Sequence, residues 1–129
     1  MTSTPTLALD RVGQIALTVS DLDRAVLFYR DAVGVPFLFT APPGLALFRC
    51  GDLSLLLSRP EGEFEAGKAS SVIYFQVDDV HAAHATLRDR GVAFIDEPHV
   101  VHRAPDFELW MAFFRDPDGH LLALMEEKR

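Results

Sequence analysis

The sequence predicts an α+β domain built from two tandem βαβββ modules, and three observations predict it. The chain repeats itself, each half runs strand, helix and three further strands, and both halves end in a β-hairpin. Internal repeats are sought first because missing one misreads the whole fold. Gln14 to Leu22 lies over Val72 to Val80, with Ile15 on Ile73, Val19 on Val77 and Asp21 on Asp79. Further along, Ala25 falls on Ala83, Arg30 on Arg88 and Asp31 on Asp89. After a one-residue gap Gly34-Val35 meets Gly91-Val92 and Phe37 meets Phe94. Gly51 to Ser58 then lies over Gly119 to Glu126, with Leu53 on Leu121 and Leu56 on Leu124.

Each element follows from local chemistry. Residues 13–19 and 71–77 are short, apolar and rich in β-forming side chains, hence strands. Ser20 and Asp78 are expected to cap helices, with Asp23 completing a weak capping box after Ser20. Leu22, Ala25, Val26, Tyr29 and Val33 form one helical stripe, as do Val80, Ala83 and Leu87. Gly34 and Gly91 stand where a helix end needs a left-handed residue. Three β segments follow in each half, at 36–40, 45–50 and 53–58, then at 93–96, 108–115 and 120–126. Asp116-Pro-Asp-Gly119 reads as a tight turn joining the last two. Module one is expected over 10–58, a polar linker over 59–70, and module two over 71–127. A generic ferredoxin-like sandwich also duplicates strand–helix–strand units, but three closing strands per half favour the tandem βαβββ arrangement.

Composition narrows the function classes. The 129 residues carry a net charge of −7 and one cysteine. One domain with a real core fits that length. Without a basic cluster the counterion-release term behind nucleic-acid affinity is missing, and an acidic surface disfavours anionic membranes. No apolar run is long enough to span a bilayer, and Met-Thr-Ser-Thr-Pro lacks the features of a signal peptide. The lone Cys50 excludes an internal disulfide and suits a reducing cytoplasm. The expected partner is a small molecule or a second copy of the chain.

Three segments carry a family resemblance. They are Ile15-Ala-Leu-Thr-Val-Ser-Asp-Leu-Asp-Arg-Ala-Val-Leu-Phe-Tyr-Arg-Asp, Val77-Asp-Asp-Val, and Phe114-Arg-Asp-Pro-Asp-Gly-His-Leu-Leu-Ala-Leu. They resemble the opening and closing motifs of the glyoxalase/bleomycin-resistance/dioxygenase (vicinal oxygen chelate) superfamily. The resemblance implies that each module curls into a cup and that ligand binds between facing cups. Reaction type does not follow, since that superfamily holds lyases, dioxygenases, epimerases and metal-free drug-binding proteins.

Enzymes of that superfamily hold a divalent metal with two side chains per module. Their positions map here to Gln14, Val72, Ala123 and, by the repeat, Leu55. Three of these lack any donor atom, so no metal or other cofactor is expected. The resemblance also implies a cup lined by Gln14, Ala16, Thr18, Val72, Tyr74, Gln76, Met111, Phe113 and Ala123, with Leu53, Leu55 and Leu57 completing the first half. Such an apolar cavity with few polar groups suits a small molecule. These side chains otherwise fill an ordinary core, where Gln14, Tyr74 and Gln76 would each need a partner.

A second polar cluster, residues 97–108, is expected as a loop over the cup. It offers His102 and Glu108 as catalytic candidates alongside His99 and Asp106, or is simply a polar loop. His81 and His84 are expected on an exposed helix face, His120 in a turn role, and Cys50 as an inert thiol. The leading expectation is therefore a metal-free protein binding an apolar or aromatic molecule, as a homodimer. The alternative is a lyase, isomerase or epimerase using Gln14 and the 97–108 segment, by acid–base chemistry or around a relocated metal.

Overall fold

The computed structural model describes residues 12–60 and 71–129, so most of the expected linker lies outside the described residues. The first module runs β1 (Gln14–Thr18), α1 (Leu22–Leu27, continued by a π-helical turn over Phe28–Val33), β2 (Phe37–Ala41), β3 (Leu45–Cys50) and β4 (Leu53–Ser58). The second runs β5 (Ile73–Gln76), α2 (Val80–Asp89), β6 (His99–Arg103), β7 (Glu108–Arg115) and β8 (Leu121–Lys128). Each module forms a four-stranded mixed sheet, ordered β1-β4-β3-β2 and β5-β8-β7-β6. First and last strands of a module pair in parallel, and the other pairs are antiparallel.

The helix starts sit one residue later than the sequence suggests. Asp21 Oδ1 accepts the Arg24 N–H at 3.0 Å, and Asp79 Oδ1 accepts from Ala82 and His81, each at 3.1 Å. Those backbone donors, Ala82 foremost, hold the Asp79 carboxyl below the usual range. Ser20 is released from capping and instead donates through N and Oγ to Asp118 Oδ1 of the other module. Gly34 and Gly91 have φ values of 90° and 92°, the left-handed conformation expected of a helix end.

One core joins the modules. Leu17, Val19, Phe48, Leu55 and Leu57 of the first sheet and Phe114, Leu122 and Leu124 of the second belong to a single buried cluster with Leu22, Ala25, Val26, Tyr29, Val80 and Leu87 from the helices. Burying a large apolar side chain of this kind contributes about 1.5–3 kcal/mol. Phe28 meets Phe114 with ring centres 6.5 Å apart, and Tyr29 Oη donates to Asp116 Oδ2 at 2.8 Å. Arg90 Nη1 adds a bond to the Ala32 carbonyl at 3.2 Å. The modules thus pack through their helix-bearing faces, and the opposite face of each sheet is turned away from the core.

Three expectations fail here. The segment 93–96 contributes only an isolated bridge between Phe94 and Phe114, while the second strand of module two is β6. Asp96 Oδ1 accepts the Phe113 N–H at 2.8 Å, so a side chain replaces a backbone carbonyl and ends ladder pairing there. Residues 97–108 are therefore an edge strand and a turn rather than a loop. His84 also departs from expectation: it is only 5% exposed, its ring tilted against that of Phe94 with centres 4.3 Å apart.

Candidate functional site

Strand register decides which side chains reach the open faces, because paired residues share a face and neighbours alternate. In the first sheet Gln14 pairs with Ser54, Ala16 with Leu56 and Thr18 with Ser58. Ser54 continues to Arg49, Leu56 to Leu47 and Ser58 to Leu45, and Leu47 continues to Phe39. In the second sheet Tyr74 pairs with Ala123 and then Phe113, and Gln76 with Met125 and then Met111. His99 extends the Met111 row, and His102 pairs with Leu109. Val72 precedes β5 on the same face.

These faces mix apolar and polar side chains and are uncovered. Tyr74 is 47% exposed and Phe39 48%, while Gln14, Ala16 and Gln76 are also exposed. Tyr74 and Phe113 meet edge to face with ring centres 6.2 Å apart. Ala123, in the same row between them, is fully buried beneath these rings. Beside Leu45, Leu56 and Ser58 lies an open cavity of about 450 Å³, lined also by Pro43, Gly44 and Arg59. The structure thus brings Gln14, Thr18, Val72, Tyr74, Gln76, Met111, Phe113 and Ala123 to open faces, with the first two on a different sheet from the rest.

Leu55 does not join them. It pairs with Ile15, is 2% exposed, and packs in the shared core together with Leu57. The open-face position is Leu56, one residue along, and Leu53 likewise falls on the other side. Glu108 is also misplaced by the sequence reading. Its carboxylate accepts the Trp110 Nε1–H at 3.1 Å and faces Arg103 at 3.3 Å, on the side of β7 opposite Met111 and Phe113. His102 does occupy the open face, but on the edge strand, and its ring lies 6.2 Å from that of Phe107. His99, which sequence reasoning set below His102, is nearer the aromatic pair, 6.5 Å from Phe113 between ring centres.

The donor chemistry of the superfamily's metal positions can now be tested against the register. They hold Gln14, Leu56, Val72 and Ala123: one neutral amide and three hydrocarbon side chains. Divalent metals take imidazole, carboxylate or thiolate donors, and this set does not fit them. Among the described residues no three His, Cys, Asp or Glu side chains converge elsewhere.

Two further features lie off the open faces. An apolar cavity of about 350 Å³ sits at the module seam, lined by Val33, Val35, Phe75, Leu87 and Leu124 with Arg90 at its edge. Cys50 also borders it, and burial pushes its thiol pKa up, away from reactivity. His120 is buried in the turn, with Nδ1 2.7 Å from Asp116 Oδ2 and its backbone N–H donating to Asp116 Oδ1 at 2.8 Å. That is the turn role expected of it.

Fold and site together define a two-module α+β protein with one open sheet face per module. Residues 11–124 match the Glyoxalase/Bleomycin resistance protein/Dioxygenase superfamily. The chain belongs to that superfamily. It is 32% identical over 126 residues to the uncharacterized protein YraH of Bacillus subtilis, covering 86% of this chain and 94% of that one. It is 28% identical over 134 residues to a probable lactoylglutathione lyase of Vibrio cholerae, covering 92% of each. Among solved structures it resembles TnmS3, an antibiotic binding protein from Streptomyces sp. CB03234, with a TM-score of 0.76 and 29% identity, covering 95% of this chain and all of that one.

Proposed function

We propose that this chain binds a small apolar or aromatic molecule without a metal, between the open faces of two copies. The observation that carries the reading is the content of those faces. Where enzymes of the superfamily place metal donors, hydrocarbon side chains stand beside the exposed Tyr74, whose ring meets the half-buried Phe113. An aromatic ring offered to solvent at about half exposure, as that of Tyr74 is, makes a poor surface but a good platform for a planar ligand. The antibiotic-binding role of TnmS3 supports the same direction.

The packing supports a homodimer. The modules bury their helix-bearing faces against one another, so the two open faces of one chain do not face each other. A second copy supplies the missing wall, Gln14, Ala16 and Leu56 of one chain opposing Tyr74, Phe113 and Ala123 of the other. Contiguous apolar exposure of this kind marks an interface or a groove. No helix among the described residues is long and apolar enough to cross a membrane, and the lone thiol is in keeping with a reducing cytoplasm.

The test is elemental analysis of protein purified without chelator, paired with sedimentation of the apo protein. The expected result is a dimer carrying far less than one transition-metal ion per chain. Stoichiometric zinc, nickel, iron or manganese would overturn the metal-free reading.

A second reading, an acid–base lyase or isomerase, is favoured by one observation: His99 and His102 both stand on the open-face side of β6. It predicts that His99→Ala or His102→Ala abolishes turnover of a carbonyl substrate while leaving binding intact.

A further inference from the structure

Each open face ends in an arginine, and the two arginines are equivalent. Arg49 on β3 pairs with Ser54, which pairs with Gln14. Arg115 on β7 pairs with Leu121, one residue before the Ile73–Leu122 pair and so level with Val72. Both arginines therefore lie in the first row of their sheet, on its third strand. Each follows a fully buried phenylalanine, Phe48 and Phe114, and that burial turns the next side chain to the open face. Both are exposed. Arg115 is also held in place, its Nη1 donating to the Gly119 carbonyl at 2.9 Å.

The charge on these faces runs against the composition. The chain has 19 acidic residues against 12 basic ones. Yet among the described strand residues on the open faces the only carboxylate is Glu127, already bound to Arg129 Nη2 at 3.0 Å. Asp52 stands in the β3–β4 turn, off the strand face. Arg49, Arg115, His99 and His102 make up the rest of the ionisable groups besides Tyr74. Excluding acids from the ligand faces of an acidic protein gives those faces a sign opposite to the surrounding surface, which selects ligands by charge.

We infer that the ligand is an anion: an aromatic or branched apolar molecule whose carboxylate or sulfonate lies between Arg49 of one copy and Arg115 of the other. Its ring system rests on Tyr74, Phe113 and Leu56. This rests on the open-face reading above and adds the polarity of the ligand to it. A guanidinium is suited to the task, since its planar fork meets a planar oxyanion with two parallel bonds.

The experiment compares anilinonaphthalene sulfonate with uncharged N-phenyl-naphthylamine, which share an aromatic body and differ by the sulfonate. Fluorescence titrations of the full-length dimer at low ionic strength should show the sulfonate binding about tenfold more tightly, the yield of one charge-assisted contact. Arg49→Gln and Arg115→Gln should each erode that preference and the double variant remove it, with affinity for the neutral probe unchanged. That retained affinity also certifies that the variants fold. Added salt should weaken only the sulfonate. Equal affinity for both probes, untouched in the double variant, would overturn the anionic assignment and leave the apolar site standing. Binding of neither probe would overturn both.

Discussion

The phenol of Tyr29, on the helix of the first module, donates to Asp116 Oδ2 in the last turn of the second at 2.8 Å. Both residues are buried, and Asp116 also accepts from His120 Nδ1, the His120 N–H and the Asp118 N–H. This carboxylate is thus fully engaged and ties the modules across their seam. Tyr29→Phe removes one bond to a charged acceptor, so unfolding free energy should fall by about 1.5–3 kcal/mol in urea titrations.

The same contact predicts an alkaline limit. Burial first, and the Asp116 charge second, push the Tyr29 pKa well above its ordinary value. A raised folded pKa means that the folded state holds the proton longer than the unfolded one. Its contribution to stability is complete below the unfolded value of about 10 and declines as pH rises beyond it. Thermal melts of the wild type should therefore lose stability above that pH. Tyr29→Phe should flatten that part of the profile.

Adjacent leucines on β4 should behave oppositely. Leu55 is a core residue and Leu56 an open-face residue. Leu55→Ala should cost about 2–5 kcal/mol of stability, the usual range for truncating a buried leucine. Leu56→Ala should cost far less and instead weaken binding of N-phenyl-naphthylamine. Equal destabilisation by the two would refute the register.

Much of this architecture was legible in the sequence because backbone chemistry enforces it. Gly34 and Gly91 mark the helix ends, and Asp-Pro-Asp-Gly marks the final hairpin. The superfamily assignment rested on the same motifs. That Leu55 rather than Leu56 matches Ala123 in the repeat has a specific cause: Gly51 and Gly119 hold different places in their turns. Gly51-Asp52 is itself the two-residue turn, whereas Gly119 follows a turn at Pro117-Asp118. Five residues separate Gly51 from Leu56 but four separate Gly119 from Ala123, so the alignment drifted by one. β6 was hidden for another reason. His-Val-Val-His-Arg lies at a sheet edge and carries a bulge between Val100 and His102, so it shows no apolar alternation. His84 escaped because only the tertiary contact with Phe94 reveals its burial.

The aromatic platform should separate binding from stability. Tyr74 is half exposed and, among the described residues, makes one ring contact, to Phe113. Tyr74→Ser should leave the unfolding midpoint close to that of the wild type, since it empties no core space. Probe affinity should nevertheless fall by about tenfold, the loss expected for one aromatic contact and its buried area. Isothermal titration alongside calorimetric melts would read both quantities from one preparation.

The location of the ligand is the point on which the whole account turns. The most direct measurement is a methyl-resolved NMR titration of the dimer with N-phenyl-naphthylamine, following Ala16, Leu56, Met111, Ala123 and Met125 on the open faces against Val35, Leu87 and Leu124 at the seam cavity. Saturable shifts confined to the open-face methyls are predicted. Shifts centred on Val35, Leu87 and Leu124, with Ala16 and Ala123 unmoved, would contradict the account.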